Sequence, residues 1–417
     1  MSTQTLTIDS LGAQGDGISH GADGPIFVPF ALPGETVAVA LVKNQGTVIS
    51  TSKVSPERVE PACRHFGPDG DGGTCGGCTV QHMSWDLYRE FKRGLVVAAL
   101  RSKAIEIEVG PLVEARPGQR RRVVLAARRT EKELLLGFNQ AESHHIVQIR
   151  ECPISTDGIV ARLDAIRAIG LSLAITADPF RIAVLETLSG LEIAIDGLKP
   201  IKDPQRRALT QAVLSLRGIG RVSVNGEILI EPAKPLLSFD GVTVSPPPGG
   251  FAQATREAEE AMAKLVLAHV GKSKRIADLF AGSGTFSLRL ARVGQVHAVE
   301  SDAKALMALD LAARNTQGLK PVKVEKRDLF RRPLMVSELK SFDAVVFDPP
   351  RAGAEAQVAE LARSAVKKIV AVSCNPLTLA RDLSVLIAGG YTLEAVTPID
   401  QFLWSSHVEA VATLTRR

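Results

Sequence analysis

Reactive side chains stand at the ends of several short apolar runs. In SCNP (373–376), Cys374 closes such a run and precedes Asn375, a good helix cap, and Pro376, a good first-turn residue. A thiol in that place lies beside the positive end of a helix, which favours its anion. HVEAVATL (407–414) carries Glu409 in an otherwise apolar strand, where a carboxylate is costly unless paired or used. DPPR (348–351) puts Asp348 ahead of two prolines, a stiff turn at a strand end. DLFAGSGTF (278–286) sits at a strand-to-helix junction, where Gly282 and Gly284 permit a tight turn and close approach of a ligand. Glu300 ends the next apolar run, 18 residues after Gly282, where an acid can accept hydrogen bonds from both ribose hydroxyls. Ser287 replaces the third glycine of the dinucleotide fingerprint, so a nucleoside cofactor without a pyrophosphate, such as S-adenosylmethionine, fits better than NAD. Taken singly, the cysteine, the aspartate and the glutamate read as well or better as ordinary strand-end residues. Their convergence on one sheet edge gives them weight.

A thiolate, a carboxylate and a methyl sulfonium together suit one reaction. C5 of a uracil ring is too electron-poor to attack a methyl group, but addition of a thiolate to C6 makes an enolate whose C5 can. A base must then remove the C5 proton so that the thiol is expelled. Cys374 and Glu409 fill those two roles. Enzymes acting at cytosine C5 in RNA usually employ a second cysteine, and none is left here once the four clustered ones are set aside.

The elements that must position these residues change character along the chain. From residue 251, the short runs RIADLF, QVHAVE, VKVEK, FDAVVFD and KKIVAVS alternate with helical stretches such as EAEEAMAKLVLAHV and LARDLSVLIAG. That rhythm predicts an α/β fold, a doubly wound parallel sheet covered by helices. HVEAVATL follows YTLEAVTP with no helix between them, so the last strand should run antiparallel and start at the edge where the others end. Residues 1–57 alternate short β-branched runs with Gly, Asp and Pro turns, the pattern of an all-β barrel. The region 58–250 is mixed α/β, with a helix expected over WDLYREFKRGLVVAAL and strands over RRVVLAARR, ELLLGFN and HHIVQI. SPPPGG (245–250) reads as a linker. Three domains are therefore expected, at 1–57, 58–250 and 251–417.

A second constellation lies far from the first. Cys63, Cys75, Cys78 and Cys152 make a C-x11-C-x2-C pattern plus a distant C-P, a four-thiolate site that zinc accepts as readily as iron–sulfur. His65, His82, His144 and His145 could also serve zinc, although such histidines are more often surface or core residues. The glycine-rich loop around Cys75 has little else to order it. Arg120, Arg121, Arg122, Arg128 and Arg129 flank VVLAA at an expected strand, and either form a solvated face or meet phosphate. Across 417 residues the chain is 45% hydrophobic and 23% charged, which excludes disordered and fibrous classes. A net charge of +5 permits an anionic partner, and with 4% aromatics such a partner would be held mainly by charge. No apolar run approaches a membrane span, and the opening MSTQTLTIDS lacks the parts of a signal peptide, so a cytoplasmic protein is expected.

With these motifs in place, the chain resembles the RNA 5-methyluridine methyltransferase family over nearly its whole length, most like its 23S ribosomal RNA members. The first 57 residues look like a TRAM domain, a small RNA-binding barrel, with GAQGDGISH and VPFALPGETV as its typical pieces. The resemblance implies that Cys63, Cys75, Cys78 and Cys152 hold a 4Fe–4S cluster, with zinc the lesser alternative. It implies that FAQAT contributes Gln253 to the S-adenosylmethionine site and DLFAGSGTF contributes Phe280 and Thr285, the latter standing where the family often has Asn. Glu300, Asp328 (in KRDLF) and Asp348 complete that site, SCNP supplies the nucleophile Cys374, and HVE supplies the base Glu409. The implied fold is a C-terminal Rossmann-like methyltransferase sheet with the TRAM-like barrel and the mixed domain ahead of it. The partner is RNA, ribosomal rather than transfer RNA, since bacterial transfer RNA relatives usually lack the barrel and the four cysteines. A monomer is expected, with no membrane and no obligate protein partner. Two other readings remain open: a transfer RNA uridine enzyme, and a non-catalytic RNA-binding factor, against which the retained Cys374 and Glu409 speak.

Overall fold

The alternating runs after residue 251 form one sheet in the computed structural model, which describes residues 2–21, 24–141 and 143–416. Among these residues the strands assemble into one six-stranded, two seven-stranded and one two-stranded sheet. The C-terminal sheet runs in the order Val322–Lys326, Gln295–Glu300, Arg275–Leu279, Ala344–Phe347, Lys368–Ser373, Glu409–Thr415, Thr392–Ile399. The first five are parallel. Ala344–Phe347 reads AVVF and is buried at every position, as a parallel strand covered on both faces must be. Alternate residues feed two cores. Leu279, Phe347 and Ala371 meet the helices Glu355–Ala362 and Pro376–Ala388 on one face, while Ile276, Val346 and Val370 meet Arg256–Val270 on the other.

Two features of this sheet decide where chemistry can occur. The order of strands reverses between Arg275–Leu279 and Ala344–Phe347, which opens a crevice at their carboxyl ends. Glu409–Thr415 then returns antiparallel beside Lys368–Ser373, as expected from the missing helix, with Ser373 opposite Ala410 and Ile399 opposite Glu409. Asn375 caps the following helix through its side chain, which accepts from the Leu377 amide at 3.1 Å, with Pro376 in the first turn.

The N-terminal strands close on themselves. The six-stranded sheet has Ser2–Thr7 at one end and Ser10–Leu11 at the other, yet these are successive pieces of one stretch, joined through Ile8 and Asp9. Ile8 donates to the Glu35 carbonyl and Asp9 to that of Ile18, so both edges are satisfied and a barrel results. Leu6, Ile26, Val28, Val37 and Val39 fill it. The central seven-stranded sheet includes Arg122–Arg129, Leu134–Asn139 and Ile146–Gln148 in sequence order, covered by Leu163–Leu173 and Asp203–Ser215.

Residues 85–113 precede the central sheet in sequence but pack on the C-terminal one. The helix Trp85–Arg101 buries Val96, Ala99 and Leu100 in the same core as Leu383 and Leu386, and Val109 and Val113 bridge to the edge strand at Val396 and Ile399. A buried Arg–Glu–Arg triad makes a second joint. Glu259 accepts from Arg121 at 2.6 Å and from Arg289 at 2.9 Å, and none of the three is more than 5% exposed. Such a triad ties the central strand to the C-terminal helix layer because removing any member would strand a buried charge.

Candidate active site

One cavity of about 480 Å³ opens at the carboxyl edge of the C-terminal sheet, a size suited to a nucleoside-containing ligand. Nine of the ten residues that sequence assigns to catalysis or cofactor line it: Cys374, Glu409, Gln253, Phe280, Gly282 and Thr285, together with Glu300, Asp328 and Asp348. Gly284 is the exception. A Cβ there would meet Leu309 at 2.9 Å and Leu288 at 3.1 Å, so this glycine serves close packing beneath the loop and has no part in the wall. A Cβ on Gly282, by contrast, would meet nothing within 4 Å, and its φ of 53° favours glycine. Phe280 holds a left-handed backbone at φ 61°, costly for a bulky residue, and its ring stands 5.5 Å from that of Phe330. Glu300 accepts from the Gly282 amide at 3.1 Å and from the amides of Ser301 and Asp302, which fixes loop and carboxylate together. Ser287, in place of the third glycine, donates to the buried Asp278 at 2.5 Å.

The reacting end of the cavity is electrostatically unusual. Sheet register puts Glu409 at the start of its strand, beside the end of Lys368–Ser373 and hence beside Cys374. The Cys374 thiol is pushed up to about 11, first by burial and then by the nearby carboxylates of Glu409 and Asp348, with Arg351 pulling the other way. Burial and the two carboxylates thus act against the anion that the helix terminus at SCNP favours. Burial also lifts Asp348 and Glu409 well above ordinary carboxylates, and the Asp348 charge lifts Glu409 further.

A continuous chain of hydrogen bonds joins these two acids. Gln253 donates to Asp348 at 3.0 Å, Gln401 donates to Gln253 at 3.0 Å and to Glu409 Oε2 at 2.5 Å, and Gln401 accepts from the Ala254 amide at 3.0 Å. Glu409 Oε1 is buried with no partner among the described residues. An unpartnered oxygen beside a thiol, in a cavity, has the geometry of a general base awaiting a substrate.

The mouth is lined by residues from a different sheet. Arg120 lies over the Phe402 ring at 5.8 Å and Arg122 over the Phe251 ring at 5.4 Å, both within the cavity wall. The basic run is thus divided. Arg121 is spent on Glu259, Arg128 bonds the Ala177 carbonyl, and Arg129 bonds those of Leu171 and Ala174.

Cys63, Cys75, Cys78 and Cys152 line one small cavity with Phe138, Ile149 and Ile154, and all four are free thiols. Among the described residues, no three His, Cys, Asp or Glu side chains stand close enough to hold a single metal ion. The expectation that the glycine-rich loop lacks other support is corrected. His65 bonds the Asp71 carbonyl at 2.9 Å and the Arg150 amide at 3.2 Å, and His145 bonds the Gly72 carbonyl at 2.9 Å. His82 lies buried against the rings of Phe30 and Phe66, and none of the four histidines lines the thiol cavity except His65.

The segment 400–408, between the last two strands, is clamped from the other side. Asp400 is paired with Lys92 at 3.1 Å and accepts from the Tyr88 hydroxyl at 2.5 Å, and Lys92 also bonds the Phe402 and His407 carbonyls. Trp404 has a left-handed backbone at φ 58°, and its carbonyl accepts from the amides of both Thr79 and Val80. Sequence reading missed Gln401, Phe402, Arg351 and Phe251 as cavity residues. The available signal was a polar residue in DQF, placed between two strands that share the active edge.

The sequence pattern of the tRNA (uracil-5-)-methyltransferase family matches residues 244–417. A chain of Agrobacterium fabrum, named as an uncharacterized RNA methyltransferase, is 70% identical over 416 residues, covering 100% of each chain. The 23S rRNA (uracil(1939)-C(5))-methyltransferase of Erwinia tasmaniensis is 29% identical over 433 residues, covering 100% of this chain and 97% of that one. Among solved structures, the tRNA (uracil-54, C5)-methyltransferase of Pyrococcus abyssi, in complex with S-adenosyl-L-homocysteine, superposes with a TM-score of 0.76 at 26% identity, covering 99% of both chains.

Alkylation of Cys374 by iodoacetamide, followed peptide by peptide, should keep accelerating with pH towards about 11. Asp348→Asn should move that rise to lower pH, because one opposing negative charge is gone. A midpoint at or below about pH 8.5, the value for a free thiol, would show that burial does not oppose the anion.

Proposed function

Because this chain belongs to the RNA (uracil-5-)-methyltransferase family, we propose that it methylates C5 of a uridine in 23S ribosomal RNA, with Cys374 as nucleophile and Glu409 as base. The observation that carries this reading is the unpartnered Oε1 of Glu409, buried in the same cavity as the Cys374 thiol. S-adenosylmethionine, held against Phe280, Gly282, Thr285, Glu300 and Asp328, supplies an electrophilic methyl group. The fit is supported by the open space over Gly282 and by the acid at the end of the second strand.

The residues of the chain divide the work as follows. Cys374, as its anion, forms the S–C6 bond, and Arg351 and the helix terminus favour that anion against the neighbouring acids. The ring becomes an enolate, and C5 gains the methyl group. Glu409 removes the C5 proton, the C–H electron pair restores the C5=C6 bond, and the S–C6 bond breaks to return Cys374. Burial raises the proton affinity of Glu409, which makes it a competent acceptor near neutral pH. Arg120 and Arg122 at the mouth meet the phosphates beside the target, and the N-terminal barrel serves as a TRAM-type RNA-binding module in the cytoplasm.

We assign a 4Fe–4S cluster to the cysteine cavity. Support comes from four free thiols lining one small cavity, the donor set that such a cluster takes. When bound, the cluster cross-links the Cys63–Cys78 loop to Cys152.

RNA from cells lacking the protein, mapped by mass spectrometry, should lose 5-methyluridine from 23S rRNA; loss confined to transfer RNA would move the substrate to the class named for the Pyrococcus abyssi enzyme. Cys374→Ala should abolish transfer while RNA binding persists. Glu409→Gln should slow release by about 10²–10⁴-fold and leave a covalent protein–RNA adduct on denaturing gels; without that adduct the base is another group. Anaerobically purified protein should be brown with about four irons per chain, and stoichiometric zinc without iron would refute the cluster.

A further inference from the structure

The chain of hydrogen bonds between the two buried acids turns on an amide that carries no role in the reaction above. Gln401 is 2% exposed, as are Gln253 and Glu409. Its carboxamide has two donors and a carbonyl, and all are engaged. The backbone N–H of Ala254 can only donate, so the oxygen of Gln401 must face it. That choice turns the NH₂ group towards Gln253 Oε1 and Glu409 Oε2. Gln253 must then present its own NH₂ to Asp348. One main-chain donor thus sets the direction of every bond from Ala254 to both carboxylates.

We propose that Gln401 is the positioning residue of the base: it holds Oε2 of Glu409 so that Oε1 alone faces the pyrimidine, and it keeps Gln253 turned towards Asp348. This rests on the reading of Glu409 as base. Three observations carry it. Among the described residues, the bond to Oε2 is the single hydrogen bond that the Glu409 carboxylate receives, and its other oxygen has no partner. The amide is itself fixed at the main chain, because Asp400 on one side is bound to Lys92, Tyr88 and the Phe402 amide, and donates its own amide to the Val113 carbonyl. Finally, an uncharged donor steadies a carboxylate without neutralising it, so the base keeps its affinity for a proton.

Gln401→Met keeps the volume and removes both donors. With the wild type and Glu409→Gln as references, its methylation rate, covalent adduct and pH profile separate positioning from packing. Positioning predicts a kcat about a hundredfold lower, KM for RNA within about twofold, and a methylated adduct that accumulates because proton removal has become slow. It also predicts that the acid limb of kcat moves to higher pH, since Glu409 loses the hydrogen bond that favours its anion while Asp348 and Cys374, the titratable groups facing it, remain. Wild-type kcat, or a lower kcat with no adduct and an unmoved limb, overturns the proposal. If Glu409→Gln itself traps no adduct, the base assignment falls and this inference falls with it. Should Gln401→Met not fold, Gln401→Asn, whose shorter amide cannot span both partners, is read by the same adduct and the same limb.

Discussion

Backbone pairing between Lys368–Ser373 and Glu409–Thr415 fixes the separation of thiol and carboxylate before any side chain is considered. A parallel strand in that place would deliver its carboxyl end to the active edge, and the residue at its start would lie at the opposite edge. Running backwards, the last strand instead delivers Glu409 within its first residue. A register slip of one residue would turn Glu409 to the other face and send Val408 or Ala410 into the cavity. The apolar residues of this strand, buried on both faces between two neighbours, make that slip expensive.

Among the described residues, the two buried acids of the cavity are hydrogen-bonded by amides and not by arginines. Asp278, Asp348 and Glu409 are all buried, and all are raised in proton affinity by burial. Arginines stand close by, but Arg121 and Arg289 are committed to Glu259, and Arg120 and Arg122 lie over aromatic rings at the mouth. Within the acid chain the protein uses amides. Guanidinium partners would have held the carboxylates permanently ionised; amides donate to one oxygen of each and leave protonation free to change.

Most of the C-terminal architecture could be read from the chain, because a parallel sheet with helices on both faces forces short, mostly apolar strands to alternate with helices at regular intervals. The same topology let Cys374, Asp348, Glu300 and Glu409 be gathered at one edge before any coordinates existed. What escaped were residues whose position depends on another element. Phe251, in the stretch before the helix Arg256–Val270, meets Arg122 of the central sheet, and Gln401 is oriented by the amide of Ala254. Gly284 shows the converse limit. Its spacing was visible, but whether it faced a ligand or Leu309 was decided by packing. The position of residues 85–113 on the C-terminal sheet was equally hidden, since an amphipathic helix does not name the surface it covers.

Thr79 and Val80 follow Cys78 directly, and both amides close on the single carbonyl of Trp404. The peptide that leaves the thiol cavity is therefore the same peptide that braces the turn bearing Gln401 and Phe402. The two cavities are joined by a stretch of main chain only a few bonds long, which couples the cysteine loop to the carboxyl edge of the C-terminal sheet. A shift of Cys78 would therefore travel through two peptide units to the turn that carries Gln401 and Phe402 into the cavity wall.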